Sequence, residues 1–232
     1  MTKVSYLVLG LSSLCYGSPL LAGTAPVTWD NSVTVTSDYL FNGVSQTSGN
    51  PAFQLESTVS AEYGGYVGIF ASNVDFGDET DLEFDAYAGW FTQLNESWSF
   101  DVTALYYTYH GANYSSDGNY PEVMMALGYH NLRFATWYSW DYFGTGAGHM
   151  IGSVSYHIAV SEPVSIEVGY TRSTSLDSTD YQWDDSRGYD HVYAQLSRDW
   201  EQFSIGGSIN HATLSSQLEG GTRLNVYANY QF

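Results

Sequence analysis

Acidic side chains recur at alternate positions in several short segments of this chain. Glu83 and Asp85 are two residues apart, and Asp101 is followed two residues later by the polar Thr103. Side chains two residues apart lie on the same face of an extended strand, so these segments predict a face that carries carboxylates. A row of carboxylates around a water-filled space would attract cations and repel anions. This spacing therefore indicates electrostatic selection rather than bond breaking.

The segments that would hold these carboxylates alternate apolar and polar residues over about ten positions, which is typical of the strands of a membrane barrel. In one of them Val102, Ala104 and Tyr106 oppose Asp101 and Thr103. Twelve such segments are expected, near 32–41, 51–63, 66–76, 82–94, 98–109, 120–129, 132–142, 149–160, 164–174, 189–200, 203–212 and 222–232. The predicted fold is all-β, a twelve-stranded antiparallel transmembrane β-barrel of the bacterial outer membrane.

The lengths of the connections support the same fold. With both termini in the periplasm, the even connections should be tight turns and the odd ones longer external loops. The even connections are two or three residues long, at 64–65, 95–97, 130–131, 161–163 and 201–202. The odd ones are longer, at 42–50, 77–81, 110–119, 143–148, 175–188 and 213–221.

Aromatic residues mark the expected membrane boundary on the periplasmic side. The predicted girdle contains Tyr63, Tyr66, Trp90, Trp98, Tyr129, Trp200 and Tyr230. The chain ends on an apolar strand face that includes Tyr230 and the terminal Phe232. We interpret these two residues as the signal that the barrel assembly machinery recognises.

The amino terminus has the order of a secretory signal peptide, with Lys3, an apolar stretch and then small residues near Ala22. Residues 1–22 are therefore expected to be removed, which leaves 23–232 as a single barrel domain. Cys15 lies inside the signal, so the mature chain would have no disulfide, thiolate metal site or cysteine nucleophile. We expect no cofactor and no metal site.

The mature chain is strongly acidic. Removal of Lys3 leaves five basic residues against 25 acidic ones, a formal charge of −20. This balance excludes nucleic acid as a natural partner, because a phosphate backbone requires a basic face. The expected partners are outer-membrane lipid and lipopolysaccharide, with divalent cations bridging the like charges, and small hydrophilic solutes or cations in the lumen.

Strand alternation assigns the lumen-facing residues. The predicted pore-lining set is Asp38, Glu56, Asp75, Glu83, Asp85, Asp101, Glu122, Asp141 and Glu167, with Arg133 and Arg223. Glu62, His157 and His191 are also assigned inward. In an open pore these carboxylates would select cations. Alternatively, several of them pair with Arg, Tyr and Asn to fill a narrow barrel, because twelve strands enclose less space than the 16 to 18 of large porins.

The sequence is less typical of other functions than of a channel. A secreted β-sandwich or lipocalin-like barrel would also alternate, but charged residues are only 13% of this chain. Hydrolysis would need a nucleophile and base, and no local motif fixes them among His110, His149, His211, Ser153 and Asn210. The 175–188 loop could bind a divalent cation, fold inward as a constriction, or remain solvated. Its acids lack the spacing of a calcium-binding loop.

Three stretches resemble a known family. Residues 33–47 read Val-Thr-Val-Thr-Ser-Asp-Tyr-Leu-Phe-Asn-Gly-Val-Ser-Gln-Thr, residues 50–52 read Asn-Pro-Ala, and residues 66–76 read Tyr-Val-Gly-Ile-Phe-Ala-Ser-Asn-Val-Asp-Phe. The chain resembles the TorF-type porin family of proteobacteria over nearly its whole mature length. That resemblance implies an outer-membrane barrel with a porin role and no particular substrate. The family pattern usually has Arg at the position of Asn42, so that cation is missing here.

Together these observations predict a non-enzymatic outer-membrane channel for passive diffusion of small hydrophilic solutes or ions, with a preference for cations. The alternative is a non-conducting barrel that acts in surface binding or membrane integrity through its external loops.

Overall fold

The computed structural model describes residues 27–232, which form a closed antiparallel barrel of twelve strands and one separate hairpin. The first barrel strand is β1 (Val27–Thr36), and the hairpin consists of β2 (Leu40–Phe41) and β3 (Val44–Ser45). The other barrel strands are β4 (Ala52–Ala61), β5 (Gly65–Asn73), β6 (Leu82–Gln93), β7 (Trp98–His110), β8 (Tyr120–Tyr129), β9 (Leu132–Ser139), β10 (His149–Ser161), β11 (Val164–Ser175), β12 (Gly188–Asp199), β13 (Phe203–Ala212) and β14 (Gly221–Gln231). The barrel closes because β1 pairs with both β14 and β4.

The predicted twelve-stranded fold is confirmed, including the rhythm of its connections. Short turns join the strands at the end that holds Val27 and Gln231, which we call the turn end. The longer connections, 37–51, 74–81, 111–119, 140–148, 176–187 and 213–220, lie at the opposite end, which we call the loop end. The predicted signal peptide, residues 1–22, lies outside the described residues. Within the described range, no helix is long and apolar enough to cross a bilayer.

The two faces of the wall follow the alternation in the sequence. Outward residues are apolar and exposed, as in Phe53 at 54% exposure and Leu224 at 75%. Inward residues are polar or aromatic, and Asp85 and Thr103 are fully buried. A period of two places every second residue on one face, so one amphipathic pattern repeated around the barrel produces both surfaces.

The first strand differs from its prediction. The alternation predicts a strand over 32–41, whereas β1 spans Val27–Thr36 and the chain then leaves the wall. Asn42 and Gly43 both have positive φ, 48° and 81°, and form the two-residue turn of the β2–β3 hairpin. Such a turn reverses the chain within two residues. Residues 40–45 therefore fold back on themselves instead of continuing the wall.

Tyr66 corrects the predicted girdle. It faces the lumen and is only 7% exposed, whereas Tyr63 is 79% exposed and Trp90 is 43% exposed on the outer surface. Strand β5 begins at Gly65, and its even-numbered side chains lie on the buried inner face, as Phe70 and Ser72 do. Tyr66 is the first of these inward side chains. Tyr66 thus belongs to the lumen rather than to the membrane boundary.

Candidate functional site in the barrel lumen

A hairpin inside the barrel occupies the loop-end half of the lumen. We call residues 40–45 the lumen hairpin. The ring of Phe41 packs edge-on against Tyr107 of β7, with centroids 6.5 Å apart. Next to the hairpin, the ring of Tyr39 lies 6.0 Å from Phe70 of β5. At the tip, Gly43 packs so closely on His191 of β12 that a Cβ there would overlap the imidazole. The hairpin thus contacts widely separated parts of the wall.

Asp38 holds the base of the lumen hairpin. One carboxylate oxygen accepts hydrogen bonds from the hydroxyls of Ser45, at 2.5 Å, and Thr47, at 3.1 Å. The other pairs with the guanidinium of Arg223 at 3.2 Å, and Arg223 also pairs with Glu219. The Asp38 side chain is 7% exposed and that of Arg223 is 19% exposed, so this ion pair is largely shielded from water. Shielded, hydrogen-bonded pairs hold geometry better than exposed ones.

Tyrosine hydroxyls bind the lumen carboxylates. Tyr107 donates to Glu122 at 2.8 Å, and Tyr109 donates to Glu83 at 3.1 Å. Tyr66 donates to Asp101, also at 2.8 Å. Since a phenol is neutral, these hydrogen bonds hold the carboxylates against the wall without adding compensating positive charge. The lumen remains acidic even though its acids have partners.

Several inward carboxylate oxygens have no hydrogen-bond partner within the described residues. Among residues 27–232, both oxygens of Asp85 are buried in this way, and so is one oxygen of each of Glu83, Asp101 and Glu122. Burial of unpaired carboxylates is costly. These groups therefore lower the stability of the barrel rather than raise it, so their position points to a role other than packing.

The arginines leave most of this charge uncompensated. Arg223 is already paired with Asp38 and Glu219. Arg133 lies inward on β9, donates weakly to the sulfur of Met124 at 3.8 Å, and interacts electrostatically with Asp101. Within the described part of the chain, neither Arg133 nor Arg223 forms a salt bridge with Glu83, Asp85 or Glu122.

Tyrosines lie flat on the lumen wall because the neighbouring strand has glycine beneath them. A Cβ at Gly68 would overlap the ring of Tyr87, and the same holds for Gly169 beneath Tyr193. Two of these tyrosines reach carboxylates nearer the turn end, Tyr87 to Glu56 at 2.8 Å and Tyr193 to Glu167 at 2.6 Å. Both glutamates are only partly buried. These two carboxylates are therefore more accessible to solvent than the buried Glu83, Asp85 and Glu122 nearer the loop end.

The 176–187 loop combines two of the behaviours considered from the sequence. Its aromatic residues fold inward, and Trp183, 7% exposed, packs against His149 and Tyr189. Its acids point outward, with the carboxylate of Asp184 accepting hydrogen bonds from the amide and hydroxyl of Ser215 at 2.6 and 2.8 Å. Within residues 27–232, no cluster of three His, Cys, Asp or Glu residues is arranged to hold a metal ion.

Comparison with protein families identifies where this barrel belongs. Residues 21–209 match a family described as a bacterial protein of unknown function, Gcw_chp. The chain belongs to this family. No curated protein matches it. The resemblance to TorF-type porins stays a prediction.

Solved porin structures share the fold of this Gcw_chp protein. The KdgM porin, solved in complex with disordered oligogalacturonate, is 12% identical with a TM-score of 0.56, over 88% of this chain and 98% of that chain. The NanC porin is 12% identical with a TM-score of 0.53, over 88% of this chain and 99% of that chain. At this identity the likeness shows a porin-type barrel fold and nothing further about function.

Most of the predicted pore-lining residues face the lumen of the Gcw_chp barrel, but three do not lie on strands as predicted. Asp75 and Asp141 belong to loops, where they accept hydrogen bonds from the amides of Gly77 and Gly146. Asp38 lies between β1 and the lumen hairpin. The remaining inward positions are Glu56, Glu83, Asp85, Asp101, Glu122, Glu167, Arg133 and Arg223. Their role in selection stays a prediction.

The terminal aromatic residues lie where the sequence placed them. Tyr230 and Phe232 stack on the outer surface at the turn end, with ring centroids 5.9 Å apart. The amide of Phe232 donates to the carbonyl of Asn31 at 3.0 Å, which ties the chain end to β1. Recognition by the assembly machinery stays a prediction.

The residues considered for hydrolysis are not brought together. His110 and His211 lie on the outer face and bind the hydroxyls of Thr108 and Thr222. His149 lies inside, stacked on Tyr142 with centroids 3.9 Å apart. The barrel wall separates these two outer histidines from the inward His149 and Asn210. The residues considered for hydrolysis therefore do not form one site.

The residues of the lumen hairpin are the ones that sequence reasoning missed. Asn42-Gly43 is a strong signal for a two-residue hairpin turn, and Leu40, Phe41 and Val44 supply the short apolar flanks. The alternation of residues 33–36 continues into this segment and hides the turn signal, because it predicts a strand through residue 41.

Burial raises the pKa of the Tyr39 phenol, and the neighbouring carboxyls of Glu83 and Asp85 act in the same direction. Tyr39 is therefore a neutral hydrogen-bonding group near the lumen acids.

Proposed function

We propose that this protein is an outer-membrane channel that passes small hydrophilic solutes or ions passively and favours cations. The observation that carries the proposal is the charge of the lumen. Carboxylates line its wall from β4 to β11, and tyrosine hydroxyls rather than cations bind most of them. In a water-filled space enclosed by an apolar wall, such a field raises the local concentration of cations.

The charge of this lumen disfavours an acidic ligand. The KdgM porin was solved with oligogalacturonate, a polymer of an acidic sugar. An anionic chain of that kind would meet Glu56, Glu167 and Asp101 here, with Arg223 already engaged by Asp38 and Glu219. Like charges would repel it. We therefore propose cations and uncharged hydrophilic solutes, rather than acidic oligosaccharides, as the substrates.

The exposed apolar belt supports placement in a membrane. Large apolar side chains cover the outer face, including Val35, Leu55, Ile69, Val192, Ile209 and Val226. A soluble protein rarely exposes apolar surface of such extent. Membrane strands of about 9–11 residues match the lengths of β4, β5 and β14.

A second function is favoured by one observation, the filled loop-end half of the lumen. Tyr107, Tyr120 and Tyr142 are each about 1% exposed there. If this half never opens, the barrel does not conduct, and its external loops would act in surface binding or membrane integrity. Conductance distinguishes the two proposals directly.

Neutralising the turn-end acids should weaken cation preference. In the variant with Glu56→Gln and Glu167→Gln, the amides keep acceptor oxygens for Tyr87 and Tyr193, but two lumen charges are lost. We expect the reversal potential in a KCl gradient across a planar bilayer to move toward zero. The matched control is Asp177→Asn with Asp180→Asn, which removes two exposed charges from the 176–187 loop.

The control variant should retain a reversal potential close to that of the wild-type channel, because exposed loop charges are screened by salt. Equal cation preference in all three proteins would refute the role of Glu56 and Glu167. Anion preference in the wild-type channel would refute the proposed selectivity as a whole.

A further inference from the structure

The lumen hairpin covers the most buried carboxylates of the barrel. Tyr39, which precedes it, lies near the carboxyls of Glu83 and Asp85, and Phe41 packs on Tyr107, which donates to Glu122. Asp85 lies on β6 between these contacts, and neither of its carboxylate oxygens has a partner. We call Glu83, Asp85 and Glu122 the acid cluster. The hairpin is thus linked to the acid cluster through Tyr107 and through the adjoining Tyr39.

We propose that the lumen hairpin is a proton-controlled gate, closed while the acid cluster is protonated and opened when the cluster ionises. This inference rests on the proposed channel function. It concerns a movement of residues 40–45 away from β5, β6 and β7, with the barrel wall unchanged. Opening would release protons from the cluster to water and admit water to the loop-end half of the lumen.

The surroundings of the acid cluster explain why ionisation and closure oppose each other. The closed hairpin excludes water from the carboxyls, and ionised carboxylates that lack both water and a paired cation are costly to bury. The neighbouring titratable side chains that β7 and β8 add to the cluster are neutral tyrosines, namely Tyr107, Tyr109 and Tyr120. Nearby, Tyr142 and His149 stack on each other.

Charged groups elsewhere around the hairpin do not compensate the cluster. Arg133, on β9, interacts with Asp101. Arg223, on β14, forms ion pairs with Asp38 and Glu219 at the base of the hairpin. His191 lies under the tip, where its ring nitrogens face Thr171 and Asn210 at 3.2 and 3.1 Å. The acid cluster is therefore the largest group of uncompensated acids that the hairpin covers.

The sign of the response follows from which state binds more protons. The closed state keeps the cluster protonated and the open state lets it ionise, so a rise in pH favours opening. Each proton released on opening changes the open-to-closed ratio about tenfold per pH unit. His191 would act in the opposite direction, because a rise in pH removes its charge. An increase of conductance with pH thus identifies the carboxyls as the controlling groups.

The test is single-channel recording of the refolded protein across a pH series from about 5 to about 9. We expect the open probability of the wild-type channel to rise with pH. The variant carrying Glu83→Gln, Asp85→Asn and Glu122→Gln cannot ionise its cluster and should lose this rise. The matched control Glu167→Gln removes a lumen acid that lies outside the cluster and should keep it.

A second variant separates failure of the gate from failure of the channel. Replacing residues 40–45 with two glycines removes the hairpin, and heat-modified migration in a detergent gel verifies that the barrel has folded. We expect this variant to conduct at every pH in the series. If it conducts while the wild-type open probability is independent of pH or falls as pH rises, the gate is wrong and the channel stands. If a folded barrel without the hairpin never conducts, both proposals are wrong.

Discussion

Replacing Arg223 with Met is expected to release the lumen hairpin from the wall. Met keeps much of the length of the side chain but leaves the carboxylate of Asp38 without the guanidinium that lies 3.2 Å away. Loss of one partner from a buried ion pair typically costs about 3–5 kcal/mol. Since Ser45 and Thr47 still donate to Asp38, we expect the lower end of this range. Chymotrypsin cleavage at Leu40 and Phe41 should become about a hundredfold faster.

Two variants serve as controls for Arg223→Met. Arg172→Met breaks an exposed pair with Asp190, whose side chains are 41% and 38% exposed, and should change cleavage at the hairpin by less than about threefold. Adding Asp38→Asn to Arg223→Met removes the stranded charge and should recover part of the protection. Unchanged cleavage in Arg223→Met would show that Asp38 and Arg223 do not hold the hairpin.

Adding a single methyl group at Gly68 is expected to destabilise the barrel. In Gly68→Ala the new Cβ would overlap the ring of Tyr87, which is held by hydrogen bonds to Thr58 at 2.5 Å and to Glu56 at 2.8 Å. The ring must leave the wall and break these bonds. Overpacking of this kind costs about 1–3 kcal/mol. Urea unfolding of the protein in lipid vesicles measures the loss through the transition midpoint.

Gly152 provides a matched control, because it also lies on a strand but a Cβ there would meet nothing within 4 Å. Gly152→Ala should leave the midpoint unchanged or raise it slightly, since alanine has less conformational freedom to lose. Shortening Tyr87 as well as substituting Gly68 should give less than the sum of the two losses, because the overlap disappears with the ring. Equal midpoints for Gly68→Ala and Gly152→Ala would mean that Tyr87 does not depend on the glycine beneath it.

The wall of the barrel could be predicted from the sequence because its physical cause is local. A strand between lipid and lumen must alternate apolar and polar residues, and this pattern survives in segments such as 98–109 without knowledge of the neighbouring strands. The structure places Asp101 and Thr103 inward and Val102 outward, as predicted. The predicted strands are too long where the chain leaves the wall, at residues 37–41 and at Asp75 and Asp141, because the alternation continues briefly into the loops.

The contents of the lumen could not be predicted in the same way. The contact of Gly43 with His191 joins residues that are far apart in sequence, and the pairing of Asp38 with Arg223 spans nearly the whole chain. Neither follows from a pattern within one segment. The tyrosine over each wall glycine also depends on register between strands, as in Gly68 opposite Tyr87. Alternation places both residues inward but does not reveal which residues face each other.

The balance between tyrosine and arginine gives the lumen its character. Hydroxyls of Tyr66, Tyr87 and Tyr193 satisfy one carboxylate oxygen each and leave the negative charge in place. Arginine at the same positions would have formed ion pairs and removed the field. An acidic lumen therefore arises from the choice of hydrogen-bond donor as well as from the number of acids.

Single-channel recording of the wild-type protein in a planar bilayer, with a KCl gradient and near pH 8, tests the central claim most directly. We expect discrete conductance steps whose reversal potential has the sign of a cation-preferring pore. A folded protein that produces steps with an anion-preferring reversal potential would contradict electrostatic selection by the lumen carboxylates. A folded protein that produces no steps, with or without residues 40–45, would contradict the channel itself.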